Sequence, residues 1–415
     1  MLYFNIRNIE VDNILKNKNI LILVTGSIAI YKILDLISNL KKMEAKTAVV
    51  MSDEALNLIQ PLCFEALSNK EVLYSKTQSH SKDSPNHISY ALWADIAILA
   101  PASVNSIAKL RYGIADTLVL STLFACQCPI LIAPSANINM MESIQNKQNL
   151  KDLSKMGYTI IPPRETLLAC NIVAKGAMAT IDEIIFHIKK SFIKKDFWIN
   201  KDIVITGGGS IEQIDNIRHI SNNSSGLQSS NLALIFYLLG AKVRLISSKF
   251  PLTLPLDINI TNVKSNNDFR NALKKYCKKD SILIMAAAIS DFIVQNPKNE
   301  KIKKEDIGKS WNLELIQDED ILSNINCAFK VGFKAESNEN IAESKARKML
   351  QPKTLGGKDC DLVVLNIIND NNKIGSNDNE ITIFSKDSKI FLSKKDKFSI
   401  SFEIANIMEK ELQSR

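Results

Sequence analysis

Several short polar stretches have residue types suited to binding an anion. Thr25-Gly26-Ser27-Ile28-Ala29 follows the apolar run Ile20-Leu21-Ile22-Leu23-Val24. Small residues at such a turn let a phosphate approach the unpaired N–H groups and positive dipole end of the helix that follows. Ser52 follows Thr47-Ala48-Val49-Val50-Met51 as a helix cap. Pro101-Ala102-Ser103-Val104-Asn105 ends a third apolar run, Ile96–Ala100, and Asn86-His87-Ile88 precedes it. In the second half, Gly207-Gly208-Gly209-Ser210 follows Asp202-Ile203-Val204-Ile205-Thr206, and further on stands the basic run Lys301-Ile302-Lys303-Lys304. Taken singly, each has a plainer reading. Tight turns use Gly for packing, a lone His before a strand is a surface or capping residue, and a lysine run is a solvated face.

These residues need strands and helices to position them. Continuous apolar runs of this length, bounded by turn formers, read as strands buried on both faces of a parallel sheet. Such sheets bind ligands beyond the carboxyl ends of their strands. Pro129-Ile130-Leu131-Ile132-Ala133 supplies a further strand, leading into Pro134-Ser135-Ala136-Asn137. A helix is expected from about Ile30 to Met43. Strand and helix alternate, which predicts an α/β, doubly wound fold. The pattern then restarts, with a helix over about 229–239 and strands at 242–247, 282–285 and 362–365. Between the halves periodicity weakens and lysines cluster at 189, 190, 194 and 195. The expected division is 1–190, a linker at 191–200, and a second α/β domain at 201–415.

Composition narrows the classes. At 415 residues, two domains are expected. Hydrophobic content of 46% and charged content of 23% are those of an ordinary globular protein. No apolar stretch approaches the roughly 20 residues needed to cross a bilayer, and residues 1–19 lack the apolar segment of a secretory signal. Seven cysteines without framework spacing fit a reducing, cytoplasmic setting. Cys126-Gln127-Cys128 lacks zinc-site spacing and reads as core packing. The net charge of +8 comes from scattered lysines without interleaved aromatics, so neither nucleic acid nor membrane is expected as a partner.

The ordered set of motifs resembles the bifunctional phosphopantothenoylcysteine decarboxylase/phosphopantothenate-cysteine ligase family of bacterial coenzyme A biosynthesis, over nearly the whole chain from about Asn19. The resemblance implies a flavodoxin-like (Rossmann-like) FMN domain followed by a Rossmann-like ligase domain. In the first half it implies flavin contacts at Gly26, Ser27, Ile28, Ser52, Ser103, Asn105 and Asp116, the last within Gly113-Ile114-Ala115-Asp116. It implies a catalytic His87, a substrate-clamping Asn137 and, in the flap Leu168-Ala169-Cys170, a catalytic Cys170. Asn171-Ile172 stand where the family has Gly-Asp, and Thr117 and Ala136 also depart from its pattern. In the second half, Glu212–Gly226 resembles the ligase signature with Asn222 handling the activated acyl group. Met285-Ala286-Ala287 and Asp291 match the nucleotide strand, Asp291 also as a possible Mg2+ ligand, and Lys301 matches the catalytic lysine. Glu319, Asp320, Ile321, Leu322, Phe333 and Lys358 complete the implied nucleotide site. Leu227-Gln228-Ser229 replaces Lys-Met-Gly, and Thr354 replaces a lysine.

The chemistry asks for these residue types. Loss of CO2 from a cysteine amide needs an electron sink, which cysteine lacks until its thiol carbon is oxidised, and FMN supplies that reversible oxidation. His87 is the expected base or polariser, Asn137 the carboxylate holder through its amide donors, and Cys170 the proton donor. Amide formation from a carboxylate needs activation, which the family obtains from CTP with Mg2+. The implied substrates are 4'-phosphopantothenate, L-cysteine, CTP and 4'-phosphopantothenoylcysteine. The implied assembly is a homo-oligomer with a trimeric first domain and a dimeric second one, together a dodecamer. An extended chain from His87 to Ser103 would span roughly 50 Å, less with a turn before Trp93, so neighbouring subunits are expected to share the site. Two alternatives stay open. One is a flavin-binding regulatory homologue without decarboxylase turnover. The other is a nicotinamide dehydrogenase, against which the missing G-x-G-x-x-G fingerprint counts.

Overall fold

The computed structural model describes residues 14–79, 86–167, 173–303, 305, 308 and 310–415. The chain divides between Ile193 and Lys194 into two units, each with its own sheet.

The first unit alternates strand and helix: β1 (Asn19–Val24), α1 (Lys32–Lys42), β2 (Lys46–Met51), α2 (Asp53–Leu56), α3 (Pro61–Ser68), α4 (His87–Trp93), β3 (Ile96–Ala102), α5 (Val104–Arg111), α6 (Leu118–Ala125), β4 (Ile130–Pro134), α7 (Ile138–Met141), α8 (Ile144–Lys155), β5 (Thr159–Ile160), β6 (Arg164–Leu167), β7 (Val173–Ala177) and α9 (Ile181–Ile193). Side chains alternate faces along a strand. Ile20, Ile22 and Val24 therefore enter one apolar cluster with α1, while Leu21 and Leu23 enter another with α5 and α6. Both faces being covered, the strands pair in parallel, in the order β2-β1-β3-β4-β5. This is the flavodoxin-like order, and it reverses between β1 and β3.

The chain before β3 corrects one expectation. Residues 87–93 form a helix, α4, rather than extended chain. Asn86 Oδ1 accepts from Ser89 N at 2.9 Å and Ser89 Oγ accepts from Asn86 N at 3.0 Å, a reciprocal cap. Seven helical residues advance about 10 Å, so the separation of His87 from Ser103 is far below the extended figure.

The second unit contains β8 (Asp202–Gly207), β9 (Ile211–Gln213), β10 (His219–Ser221), α10 (Leu227–Leu239), β11 (Lys242–Ser247), β12 (Asn259–Asn262), α11 (Asn266–Tyr276), β13 (Ile282–Met285), β14 (Phe292–Val294), β15 (Leu315–Gln317), β16 (Phe329–Glu336), the helix Glu339–Leu350, β17 (Leu362–Ile367), β18 (Asp378–Phe384), β19 (Lys389–Asp396) and the helix Lys397–Gln413. Eight of these strands form one sheet, in the order β12-β11-β8-β13-β16-β17-β18-β19. The first six pair in parallel, and β18 pairs antiparallel with both β17 and β19. The parallel part has the Rossmann order, reversing between β8 and β13. Helix α10 is buried from Ser229 to Leu239 and apolar from Leu232 onward, because it packs on β8 and β11 and on Lys397–Gln413. The stretch 191–200 holds the end of α9 and a 3-10 turn, Asp196–Trp198. The buried Trp198 meets Phe236 of α10 edge-to-face at 4.9 Å.

Candidate functional sites

In the first unit, the reversal between β1 and β3 opens a cavity of about 780 Å3 at the carboxyl ends of the strands. Three serines shape its polar edge, each capping the turn or helix that follows a strand. Ser27 Oγ accepts from Ala29 N at 3.4 Å, Ser52 Oγ from Ala55 N at 3.3 Å, and Ser103 Oγ from Ser106 N at 3.2 Å. Buried Thr25 ties two of these turns together: its hydroxyl donates to Pro101 O at 2.6 Å and accepts from Ser103 N at 3.0 Å. Gly26 is required by close approach, since a Cβ there would lie 2.7 Å from Glu54 Cβ. Val119, Leu120, Met140 and Met178 supply apolar wall. A polar, N–H-rich edge beside an apolar wall suits a ligand with an anionic end and an aromatic body.

Of the residues expected here, Gly26, Ser27, Ile28, Ser52, Ser103, Asn105 and Asn137 line this cavity. Asn137 caps α7, accepting from Asn139 N at 3.0 Å. Asp116 is not in the lining; it pairs at 2.6 Å with Lys109, which is. His87 is also outside the lining, at the first turn of α4. Its Nδ1 lies 3.2 Å from Gln78 Nε2. With that amide as donor, the neutral ring carries its proton on Nε2. Cys170 lies outside the described residues, but the hairpin that leads to it is described. Strands β6 and β7 pair antiparallel, and Gly176 O accepts from Ala136 N at 3.0 Å. This holds the hairpin beside the segment bearing Asn137. Among the lining residues that the sequence reading does not name are two cations, Lys32 and Arg164. Burial, then the Arg164 charge, pull the Lys32 ammonium below its usual pKa. No local motif marks Arg164, which reaches the cavity only because the hairpin folds back.

In the second unit the loops after β8 and β13 meet at the reversal point. Ala288 N donates to Gly208 O at 2.8 Å and Ser210 N to Ala288 O at 3.2 Å. Gly208 has φ +74°, a backbone that favours glycine. A cavity of about 180 Å3 is lined by 223–229, 286–288, 333–335, Asn366, the loop 373–375 and Lys397, among others. Ala286, Ala287 and Phe333 are therefore in it, while Met285 is buried one residue before it. Asn222 stands beside this lining, its amide donating to Ala288 O and Ile289 O at 3.2 Å each.

The other expected nucleotide residues do not line this cavity. Asp291 and Lys301 are exposed. Lys358 pairs with Asp320 at 2.9 Å, Glu319 is exposed, and Ile321 and Leu322 are core. Among the described residues no cluster of three metal-ligating side chains occurs. The Lys301 segment is nevertheless fixed. Asp215 accepts from Ile302 N at 3.2 Å, and Arg218 Nη2 donates both to Asp215 Oδ2 at 2.5 Å and to Ile302 O at 2.9 Å. Arg218 holds the Asp215 carboxyl well below the usual carboxylate range.

Residues 8–193 match the family described as Flavoprotein, and residues 198–412 match the DNA/pantothenate metabolism flavoprotein C-terminal domain. The chain is 37% identical over 94% of its length to the coenzyme A biosynthesis bifunctional protein CoaBC of Bacillus subtilis, covering 96% of that protein. It is 33% identical over 94% of its length to the protein of the same name from Haemophilus influenzae, covering 97% of it. Among solved structures, the C-terminal domain of a CoaBC protein is similar over 53% of this chain and 100% of that one, at 26% identity and a TM-score of 0.43. With two α/β units in this order and relatives of this closeness matched over 94% of the chain, the chain belongs to the CoaBC family of bifunctional coenzyme A biosynthesis proteins.

Proposed function

We propose that the second unit joins L-cysteine to 4'-phosphopantothenate using CTP, and that the first decarboxylates the resulting 4'-phosphopantothenoylcysteine to 4'-phosphopantetheine using FMN. The main support is the pairing, in one chain of this family, of an anion-and-aromatic cavity at one sheet reversal with a lysine-lined cavity at the other. The first fits FMN: the serine-capped turns offer N–H and hydroxyl donors to its phosphate, and the apolar wall packs its ring. When bound, the flavin supplies reversible two-electron oxidation of the thiol carbon. In this reaction Asn137 holds the substrate carboxylate, His87 acts as base or polariser, and Cys170 returns a proton to the product. In the second unit Asn222 orients the acyl group. Lys301 offsets charge developing on phosphorus. Asp291 offers the one carboxylate that a phosphate-bound Mg2+ needs.

His87 lies outside the flavin cavity's lining, and Ile88 and Leu92 on the same helix are exposed. This favours an assembly in which one subunit brings α4 to the cavity of another, a trimer of first units. Dimers of second units would complete a dodecamer. We place the enzyme in the cytoplasm, where the free thiols of the described cysteines are stable. The test is direct. Purified protein is expected to hold yellow flavin, to make CMP from CTP, 4'-phosphopantothenate and cysteine, and to release CO2 in a single turnover. Absence of both flavin and CMP would overturn the proposal, whereas flavin without CO2 release would mark a binding protein.

A further inference from the structure

The segment 69–78, between α3 and α4, is pinned to α4 at both ends of that helix. At the far end, Lys70 Nζ sits 3.6 Å from the centroid of the Trp93 ring and 4.7 Å from that of Tyr90, and the Tyr90 hydroxyl donates to Glu71 O at 2.5 Å. At the near end, Gln78 Nε2 lies 3.2 Å from His87 Nδ1. Between the two, Thr77 closes a tight turn. Its hydroxyl accepts from Tyr74 N at 2.9 Å and donates to Val72 O at 3.0 Å, while Gln78 N donates to Tyr74 O at 3.1 Å. Gln78 therefore reaches His87 from a backbone that is itself held.

A neutral imidazole has one nitrogen that donates and one that accepts. An amide N–H directed at Nδ1 occupies the accepting lone pair, which leaves the ring proton on Nε2. Among the described residues Nε2 has no hydrogen-bond partner. A ring in this state has no lone pair left to take a proton, but it can donate from Nε2. The groups around it do not compete with Gln78 for this choice. Helix α6 and strand β1 pack on α4 and carry no titratable side chain. The segment 69–78 brings Lys70, Glu71, Tyr74 and Lys76, and α4 itself brings Tyr90. Lys70 and Tyr90 are engaged with each other, and Glu71 and Lys76 are exposed.

We infer that Gln78 is a positioning residue that holds His87 as the Nε2–H tautomer, so that His87 serves the first unit's reaction as a hydrogen-bond donor to negative charge on the substrate and not as a base. This assignment rests on the decarboxylase function proposed above and chooses between the two roles named there for His87.

The tautomer is read from 15N spectra of the histidine-labelled full chain, which has four histidines, with His87→Asn identifying the signal. The wild type is expected to show a neutral ring with its proton on Nε2; a proton on Nδ1 would overturn the assignment. Rates of CO2 release read the consequence. Gln78→Glu keeps the size of the side chain but replaces a donor with an acceptor. The carboxylate draws the proton of a neutral ring to Nδ1 and, as a nearby opposite charge, favours the imidazolium. Below the raised ring pKa the imidazolium still carries Nε2–H, and above it Nε2 is bare. Relative to wild type at the same pH, Gln78→Glu should release CO2 about 100-fold more slowly at about pH 9.5, the cost of losing one donor at developing charge, and should recover most of that loss at about pH 6.

A base would behave in the opposite way, because a carboxylate on Nδ1 frees Nε2 to accept; equal or faster release by Gln78→Glu at high pH would overturn the assignment. Gln78→Ala should lose about 3- to 10-fold in rate, the effect of a loosened orientation, with flavin content and CMP formation at wild-type levels. Should Gln78→Glu not fold, the wild-type spectrum and Gln78→Ala decide, and wild-type release by Gln78→Ala would then overturn the assignment. A wild type that releases no CO2 would remove the decarboxylase reading, and the spectrum would still decide the tautomer.

Discussion

At the scale of single residues, the contact least visible in the sequence is the tie from Asp215 and Arg218 to Ile302, 87 positions away for the carboxylate. Lys301 is exposed and can swing, so its placement depends on the backbone beside it. Replacing Asp215 with Asn keeps shape but removes the charge that Arg218 grips. CMP formation by Asp215→Asn is expected to fall about 10- to 100-fold, the effect of misplacing a catalytic group by an ångström or so. Bound flavin should stay at the wild-type level, because that cavity belongs to the other unit. The depressed Asp215 pKa fixes the sign of its pH dependence: the tie contributes stability above the unfolded carboxylate range, near 4, and loses it as pH falls through the lower folded value. The difference in thermal midpoint between wild type and Asp215→Asn should therefore hold from pH 8 to about pH 5 and close only in strong acid. Equal ligase rates would refute the positioning role.

At the scale of elements, both sites are turns between a strand and the helix or strand that follows, and their glycines are there for space. A Cβ on Gly209 would stand 2.5 Å from Asn222 O, a backbone atom that cannot rotate away. Gly209→Ala must push β10's exit, and Asn222 with it, off the Ala288 and Ile289 carbonyls. A loss of about 100-fold in ligase kcat is expected; an unaffected kcat would show that Asn222 needs no such placement. The same scale explains why the local sequence of α4 does not announce a helix. Asn86-His87-Ile88-Ser89 does carry a capping signal, but Ser89 stands where the familiar pattern has Glu or Gln. The helix it starts is also only two turns long, too short for periodicity to show.

At the scale of the molecule, the proposed sharing of the decarboxylase site gives opposite outcomes for the two activities. Ile88→Glu combined with Leu92→Glu places charges on the exposed apolar face of α4. The variant is expected to become monomeric in its first unit, to keep its fold by circular dichroism and its CMP formation, and to lose CO2 release. Full decarboxylation by a verified monomer would refute the shared site. Among the described residues no helix is long and apolar enough to cross a membrane.

The sequence alone determined the strands, since Ile20–Val24, Ile96–Ala100 and Ile203–Ile205 are apolar enough to be buried whatever packs on them. It determined the family, because the motifs stand in order along one chain. It also located the turns at Gly26, Ser103 and Gly207, where small residues end an apolar run. Tertiary structure decided which of those turns meet, because strand order 2-1-3-4-5 in one unit and 3-2-1-4-5-6 in the other depends on crossovers rather than local pattern. It alone brought Arg164 to the cavity of the first unit and Lys397 to that of the second, and tied Asp215 to Ile302. Each of these is an ordinary charged residue in its own neighbourhood. What distinguishes them is the burial and long-range contact that folding imposes.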